Sequence, residues 1–216
     1  MDDTIGKFLK QLKGMGIYDR ALIVFTSDHG DELLEHGRFG HGRTLYQDQI
    51  HVPLIVKFPA GQYAGTRVDT TVRSIDIAPT VLDYIGVPVE GFGLDGRSLR
   101  ETIEASDSAG PRVVISEATE YSDSKVSIIE GDLKLIVDPS NESSAEVYDL
   151  SQDPLESNNL SSSPSHEQAV KHLRDLLAEH VALRDAERGA DNDMAQPDRP
   201  IDPEELESLR ALGYVQ

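Results

Sequence analysis

The stretch ALIVFTSDHGDELLEHGRFGHG, residues 21–42, decides how the rest of the chain is read. Ala21 to Phe25 form a continuous apolar run with β-branched and aromatic members, the pattern of a strand buried on both faces. The run stops at Asp28, His29 and Gly30, and Gly30 supplies a backbone that can turn at once. Asp28 and His29 therefore fall just past the carboxyl end of a strand, the edge at which open α/β sheets hold ligands and metals. His36 and His41 follow within one loop's length, so three imidazoles and several carboxylates gather on one segment.

Moving outward toward the amino terminus, Ile5, Phe8, Leu9 and Leu12 share one helical face. Asp2 and Asp3 lie at the positive end of that helix, Lys10 and Lys13 toward its negative end, and Gly14 and Gly16 stop it. A chain that opens inside a regular element reads as the carboxyl-terminal part of something longer. Toward the carboxyl terminus, Val52 to Phe58 reads as a second strand, with Pro53 tolerated only at its start. Ser74 to Ile85 returns to helical spacing, predicting Ile75, Ala78, Leu82 and Ile85 inward and Pro79 in the first turn. Ser98 to Ile103 predicts one more short helical turn.

From Gly110 the character changes to an antiparallel meander. Val113 to Ser116, Lys125 to Ile129 and Lys134 to Val137 are its strands, Glu130-Gly131-Asp132 is a hairpin loop, and Glu146 to Leu150 adds a fourth strand. A helix is predicted from about Glu167 to Arg188, then an acidic flexible linker over Gly189 to Pro203 and a short final helix over Pro203 to Tyr214. The expected organisation is an α/β part over 1–109, a small antiparallel sheet with a helix over 110–188, and a tail over 189–216.

The 216 residues are long enough to bury a core, and 38% hydrophobic with 27% charged residues is an ordinary globular composition. A formal net charge of −19, from 20 basic and 39 acidic residues, argues against general binding to nucleic acid or anionic membrane. An anionic substrate then needs a local positive centre, which a metal ion supplies. There is no cysteine, so disulfides and thiolate metal sites are excluded. No apolar stretch approaches the roughly 20 residues that span a bilayer, and the first residues show no signal-peptide pattern.

Asp followed by His at a strand end places a hard oxygen and an imidazole nitrogen on one divalent cation, a mixture that suits manganese, iron or zinc and is compatible with calcium or magnesium. The competing interpretation makes Asp28 a turn cap and His29 a surface residue. His41, between Gly40 and Gly42, sits on backbone able to approach a bound group; it suits contact with an anionic oxygen or protonation of a leaving group. His36, in a similar Glu-His-Gly triplet, is its competitor. His51 reads as structural, and His166, His172 and His180 as solvated. Arg43, Arg67 and Arg73 are weaker candidates for an anion pocket.

VFTSDHGDELLEHGRFGHGRTLYQDQIHVPLIV resembles the carboxyl-terminal metal-binding segment of the sulfatase family, within the alkaline-phosphatase-like superfamily. IDIAPTVLDYIGVP, EVYDLSQDPLESNNL and LRALGYV resemble later sulfatase stretches in the same order. The resemblance implies a single-metal hydrolase of sulfuric esters, with phosphonate or phosphate ester hydrolysis as the alternative and a non-catalytic binding module as a third possibility. It implies Asp28 and His29 as metal ligands and His41 at the position that contacts the sulfate or leaving-group oxygen; His36, on its triplet alone, stays a lower-ranked candidate for substrate contact. By family the cation is calcium, with manganese or magnesium as alternatives. The family's nucleophile is a formylglycine made from Cys or Ser in a Cys/Ser-x-Pro-x-Arg motif upstream of this segment. No such motif occurs here: Ser162-Ser163-Pro164-Ser165-His166 lacks the Arg, and Ala195-Gln196-Pro197-Asp198-Arg199 has Ala at the nucleophile. The expected partners are an anionic sulfate ester and either an amino-terminal half or a second copy, since a partial sheet exposes an edge and apolar surface. Family members are often exported; the compartment of this chain is left open.

Overall fold

The computed structural model describes residues 2–105, 112–118, 125–139 and 141–191. Helix α1 spans Asp2–Gly14, strand β1 Ile23–Thr26, β2 Glu32–Leu33, β3 Phe39–Gly40, helix α2 Gln47–Ile50 and strand β4 Leu54–Lys57. Helix α3 (Ile77–Tyr84) and α4 (Arg100–Ala105) precede four strands, β5 (Val114–Ala118), β6 (Lys125–Glu130), β7 (Leu133–Asp138) and β8 (Asn141–Asp149); α5 runs Glu167–Asp191. Two compact units result, one through Arg174 and one from Asp175, and the described part of the second is the remainder of α5. No described helix is long and apolar enough to cross a membrane.

Strand β1 pairs antiparallel with β4, with Val24 opposite Val56 and Phe25 opposite Ile55. Leu22, Val24, Leu54 and Val56 look onto Ile77, Thr80 and Val81 of the α3 layer, and onto Leu99. The opposite face is open: Phe25 is 37% and Ile55 61% exposed. The expected burial of this strand on both faces is therefore corrected to one face, because among the described residues a single layer packs against a two-stranded ribbon. Lys57 closes the start of β1 by donating to the carbonyls of Tyr18, Asp19 and Ala21.

In α3, Pro79 lies in the first turn as expected, but the inward face is not the predicted one. Asp76, Pro79 and Thr80 are buried, whereas Ile75, Ala78 and Ile85 are exposed. A buried carboxylate is tolerated only when paired and hydrogen-bonded, and Asp76 is held by five donors. Its Oδ1 accepts from Arg73 Nη2 at 2.9 Å and Arg97 N at 3.0 Å; its Oδ2 accepts from Arg73 N at 3.1 Å, Arg73 Nε at 3.4 Å and Arg112 Nη1 at 3.0 Å. Burial by itself raises the Asp76 carboxyl, but the Arg73 and Arg97 hydrogen bonds outweigh it and hold the group below the ordinary carboxylate range. Arg73 is thus occupied structurally, and Arg67 pairs with Asp69 at the surface. A folded pKa lying below the unfolded one stabilises above the unfolded value, near 3.9, and the gain is lost as pH falls through the folded value. Asp76→Asn is expected to cost about 2 kcal/mol at neutral pH and to flatten the acid limb of the stability profile below about pH 4. Urea melts from pH 2 to pH 7 check this; parallel profiles for variant and wild type would refute it.

The second sheet is the expected meander in the order β5-β6-β7-β8, all antiparallel. Glu130 faces Leu133 across a two-residue turn whose first member, Gly131, has φ +59°, as a type II′ hairpin requires. One face of this sheet carries Lys134, Ile136, Glu146 and Tyr148, as their cross-strand registers show. The other carries Val126, Ile128, Leu135, Val137 and Val147, all buried. The first face packs against the segment around α2: Leu45, Tyr46 and Ile50 join Ile136, Tyr148 and Leu150 in one cluster. Helix α5 begins where expected and runs past the predicted end at Arg188 to Asp191, since one Gly189 is too small a penalty to stop a long helix. The rest of the predicted linker and the Pro203–Tyr214 helix lie outside the described residues.

Candidate active site

At the end of β1 the chain folds back on itself through local hydrogen bonds. Ser27 Oγ donates to the His29 carbonyl at 2.7 Å, and the His29 amide donates to Asp28 Oδ1 at 3.0 Å. His29 Nδ1 lies 3.0 Å from the carbonyl of Gly30. A carbonyl only accepts, so Nδ1 carries a proton, and in the neutral ring the lone pair is on Nε2. That lone-pair nitrogen stands 3.8 Å from Asp28 Oδ2. Gly30 is itself pinned, its amide donating to the Gln49 carbonyl at 2.8 Å, and a β-carbon there would sit 2.0 Å from the backbone oxygen of Asp48.

The short hairpin β2–β3, in which Glu32 faces Gly40 and Leu33 faces Phe39, returns the chain toward β1. It sets the His41 ring against His29 with centroids 4.0 Å apart and planes inclined by 31°. His41 Nδ1 meets Asp31 Oδ1 at 2.8 Å, with both side chains about half exposed. His29, Asp31 and His41 each offer a metal-ligand atom within 4.8 Å of the others. Asp28, predicted as a ligand beside His29, is not in that trio; Asp31, which the sequence alone does not single out, is. Its signal was the second carboxylate of Asp28-His29-Gly30-Asp31, one residue beyond the turn glycine.

His36 is placed differently. Its ring stacks on Tyr46 at 3.6 Å and 14°, its Nε2 is 3.6 Å from Asp48 Oδ2, and only 14% of its side chain is exposed. His51 is exposed, in contrast to the structural role expected for it. His172 pairs with Glu130 at 2.7 Å, and His166 with Ser163 and Ser165.

A family model described as Sulfatase matches residues 1–87. The N-acetylglucosamine-6-O-sulfatase of Bacteroides thetaiotaomicron is 32% identical over 187 residues, 83% of this chain and 33% of the relative. The chain belongs to the sulfatase family. Its fold agrees with a solved structure of a protein in complex with its substrate D-glucosamine-2-N,6-O-disulfate. That match is at 31% identity with a TM-score of 0.69, over 83% of this chain and 37% of that one. A phosphonate monoester hydrolase from Silicibacter pomeroyi is similar at 25% identity and a TM-score of 0.67, over 83% of this chain and 38% of that one. The chain thus spans about a third of the length of the curated sulfatase it matches.

What holds the histidines of this sulfatase-family chain in place lies beneath them. Glu32 is fully buried, and its Oε1 accepts from Gln49 Nε2 at 2.8 Å and from Thr44 Oγ1. Gln49 Oε1 in turn accepts from the Gly42 amide at 3.0 Å, fixing the backbone just after His41. Glu32 Oε2 has no partner among the described residues. The small sheet then holds this segment from below. Tyr46 and Tyr148 both donate to Glu146 Oε2, at 2.6 and 2.7 Å. Burial, then the Glu146 carboxylate, pushes both phenols well above the ordinary tyrosine range. Glu156, with a left-handed φ of +52°, accepts from the Gln47 amide at the start of α2 and from Lys134 Nζ on β7. Lys134 and Glu156 are both buried. Burial lowers the Lys134 ammonium and the Glu156 charge opposes it, with the net shift downward. Periodicity could not have marked Lys134, Glu146 or Glu156 as supports, because charged residues on a short strand or in a Ser/Asn-rich loop read as solvated.

Proposed function

We propose that this chain carries the metal-binding and imidazole part of a sulfuric ester hydrolase. Asp28 and His29 hold one divalent cation, and His41 faces the sulfate or the departing oxygen. The observation that supports this most directly is His29: its Nδ1–H donates to the Gly30 carbonyl, which in the neutral ring leaves the Nε2 lone pair 3.8 Å from a carboxylate oxygen of Asp28. Two donors bonded to one ion stand at most ~4.2 Å apart for bonds of about 2.1 Å and at most ~4.8 Å apart for calcium bonds of about 2.4 Å, so the 3.8 Å separation of this pair falls within reach of one cation. The family implies calcium, with manganese or magnesium as alternatives; one nitrogen and one oxygen do not choose between them. When bound, the cation offsets negative charge that builds on the transferred group.

Asp31 Oδ1 accepts a hydrogen bond from His41 Nδ1–H, which leaves Nε2 for the substrate. In its imidazolium form that nitrogen donates to an ester oxygen as the bond to sulfur breaks, with Asp31 stabilising the ring's charge. His36 serves as an outer substrate contact in this scheme; its stacking on Tyr46 fixes its ring. Sulfate is placed ahead of phosphonate because the 6-O-sulfatase is 32% identical and the protein bound to a disulfated glucosamine 31%, against 25% for the phosphonate monoester hydrolase. A 6-O-sulfated glucosamine is the first substrate to try.

The nucleophile is not offered by this sequence, which has no cysteine and no Ser-x-Pro-x-Arg. The chain alone is therefore expected to bind calcium yet leave nitrophenyl sulfate and 6-O-sulfated glucosamine unhydrolysed above the buffer rate. Calorimetric titration of calcium into wild type and into the Asp28→Ala, His29→Ala double variant tests the ligand assignment; equal affinities would overturn it. Turnover by the purified chain would overturn the statement about the nucleophile.

A further inference from the structure

We propose that His29, Asp31 and His41 form a second, alternative metal site that takes a borderline-soft divalent cation, zinc above all, and that zinc held there excludes the hard cation assigned to Asp28 and His29. The zinc site itself stands on the trio's geometry; only the competition rests on the reading given under Proposed function.

The trio carries one imidazole more than the Asp28–His29 pair, whose assignment to a hard cation comes from the reading under Proposed function. Two imidazoles with one carboxylate suit zinc, nickel or copper, whereas carboxylate and carbonyl oxygens suit calcium and magnesium. The ligand atoms of the trio lie within 4.8 Å of one another, and the His29 and His41 rings already lie 4.0 Å apart, so no chain segment has to travel to close on an ion. Asp31 Oδ1 and His41 Nδ1 stand 2.8 Å apart. Two donors on one zinc ion lie ~3.0–3.4 Å apart, from bonds of about 2.1 Å at angles between square and tetrahedral. Zinc can therefore take the place of the proton these two atoms share, and that proton passes to the buffer. The remaining contraction is available as side-chain rotation, since His41 and Asp31 are about half exposed and Gly40 and Gly42 flank His41 with φ of +97° and +81°. Three protein ligands leave one position of a tetrahedral ion to water.

The trio and the Asp28–His29 pair share His29, so one cation excludes the other. Zinc also engages His41, the imidazole proposed to face the ester oxygen. A chain of this composition then acts as a hydrolase part in calcium and as a zinc chelate when zinc is free.

Zinc and calcium are titrated calorimetrically, in a non-chelating buffer, into the full chain and into His41→Ala, Asp31→Asn and Asp28→Ala. The expected result is a single tight zinc site weakened by at least about tenfold in His41→Ala and Asp31→Asn and within about twofold of wild type in Asp28→Ala. Calcium shows the opposite pattern and is displaced by saturating zinc in the wild type. His41→Cys, which keeps a zinc ligand at that position, is expected to retain tight zinc binding, so a loss in His41→Ala cannot be put down to misfolding. Cobalt used as a coloured substitute should show visible bands in the wild type that vanish in His41→Ala. Zinc affinity unchanged in both His41→Ala and Asp31→Asn, or lost in Asp28→Ala alone, overturns the site. Failure of calcium to bind any form, with the zinc pattern intact, overturns the hydrolase metal assignment and upholds the zinc site.

Discussion

Gly30→Ala is expected to destabilise the chain by about 3 kcal/mol or more and to abolish measurable binding of calcium and zinc. The added β-carbon would stand 2.0 Å from the Asp48 carbonyl oxygen and 3.1 Å from its carbon, and neither can yield as a side-chain tip does. Asp48 belongs to α2, whose neighbouring Gln49 carbonyl receives the Gly30 amide at 2.8 Å, so the two segments cannot separate without losing that bond as well. Relief of the clash moves the Gly30 carbonyl, and the His29 tautomer depends on that carbonyl. Stability and metal affinity therefore fall together. Gly6→Ala on α1 is the matched control: a β-carbon added there would meet nothing within 4 Å beyond the helix's own backbone, and the change should be neutral or stabilising by up to about 1 kcal/mol. Thermal melts and calcium titration measure both effects; a Gly30→Ala chain that melts with wild type would show that the contact between this turn and α2 is soft.

Glu156→Ala is the second large effect, expected at about 3–5 kcal/mol. It leaves the fully buried Lys134 ammonium without its counter-charge and the Gln47 amide without its acceptor. Lys134→Met combined with Glu156→Gln should recover most of that loss, because Gln still accepts from the Gln47 amide and Met fills the Lys134 stem's space without a charge to desolvate. If Glu156 serves only the small sheet, the single variant should lose stability with metal binding intact in its folded fraction. If it also holds α2 under the Gly30 turn, as the Gln47 hydrogen bond implies, calcium affinity should fall by severalfold at temperatures where the variant is still folded. Unfolding curves give the first quantity and calorimetry below the melting transition the second; a cost under about 1 kcal/mol would place the pair with solvated ion pairs despite its burial.

Much of the fold was legible without coordinates, and the failures have a common cause. The four strands of the meander, the Gly131 turn, α1 and the start of α5 all follow from local periodicity and turn chemistry, which act within a few residues. The α3 face was misjudged because Asp76 looks polar in a sequence and is buried through Arg73, Arg97 and Arg112, partners up to 36 positions away. The β1 strand was placed correctly but credited with a second covered face, since an apolar run states a need for burial and not its supply.

For the candidate site, the sequence by itself determined which side chains are on offer: an acid and a histidine after a strand, a turn glycine, and a histidine between two glycines, in an order that resembles sulfatases. It also determined that no cysteine is present. Only the tertiary structure decided how those donors are arranged. It turned His41 onto His29, gave its Nδ1 to Asp31, stacked His36 on Tyr46, and rested the whole segment on Glu146, Lys134 and Glu156 of the small sheet. The physical reason is that donor identity is a covalent property of each residue. Which nitrogen carries a proton is set by the Gly30 carbonyl and the Asp31 carboxylate that the folded turn brings to each ring, and the neighbouring α2 is held by a carboxylate 109 positions away.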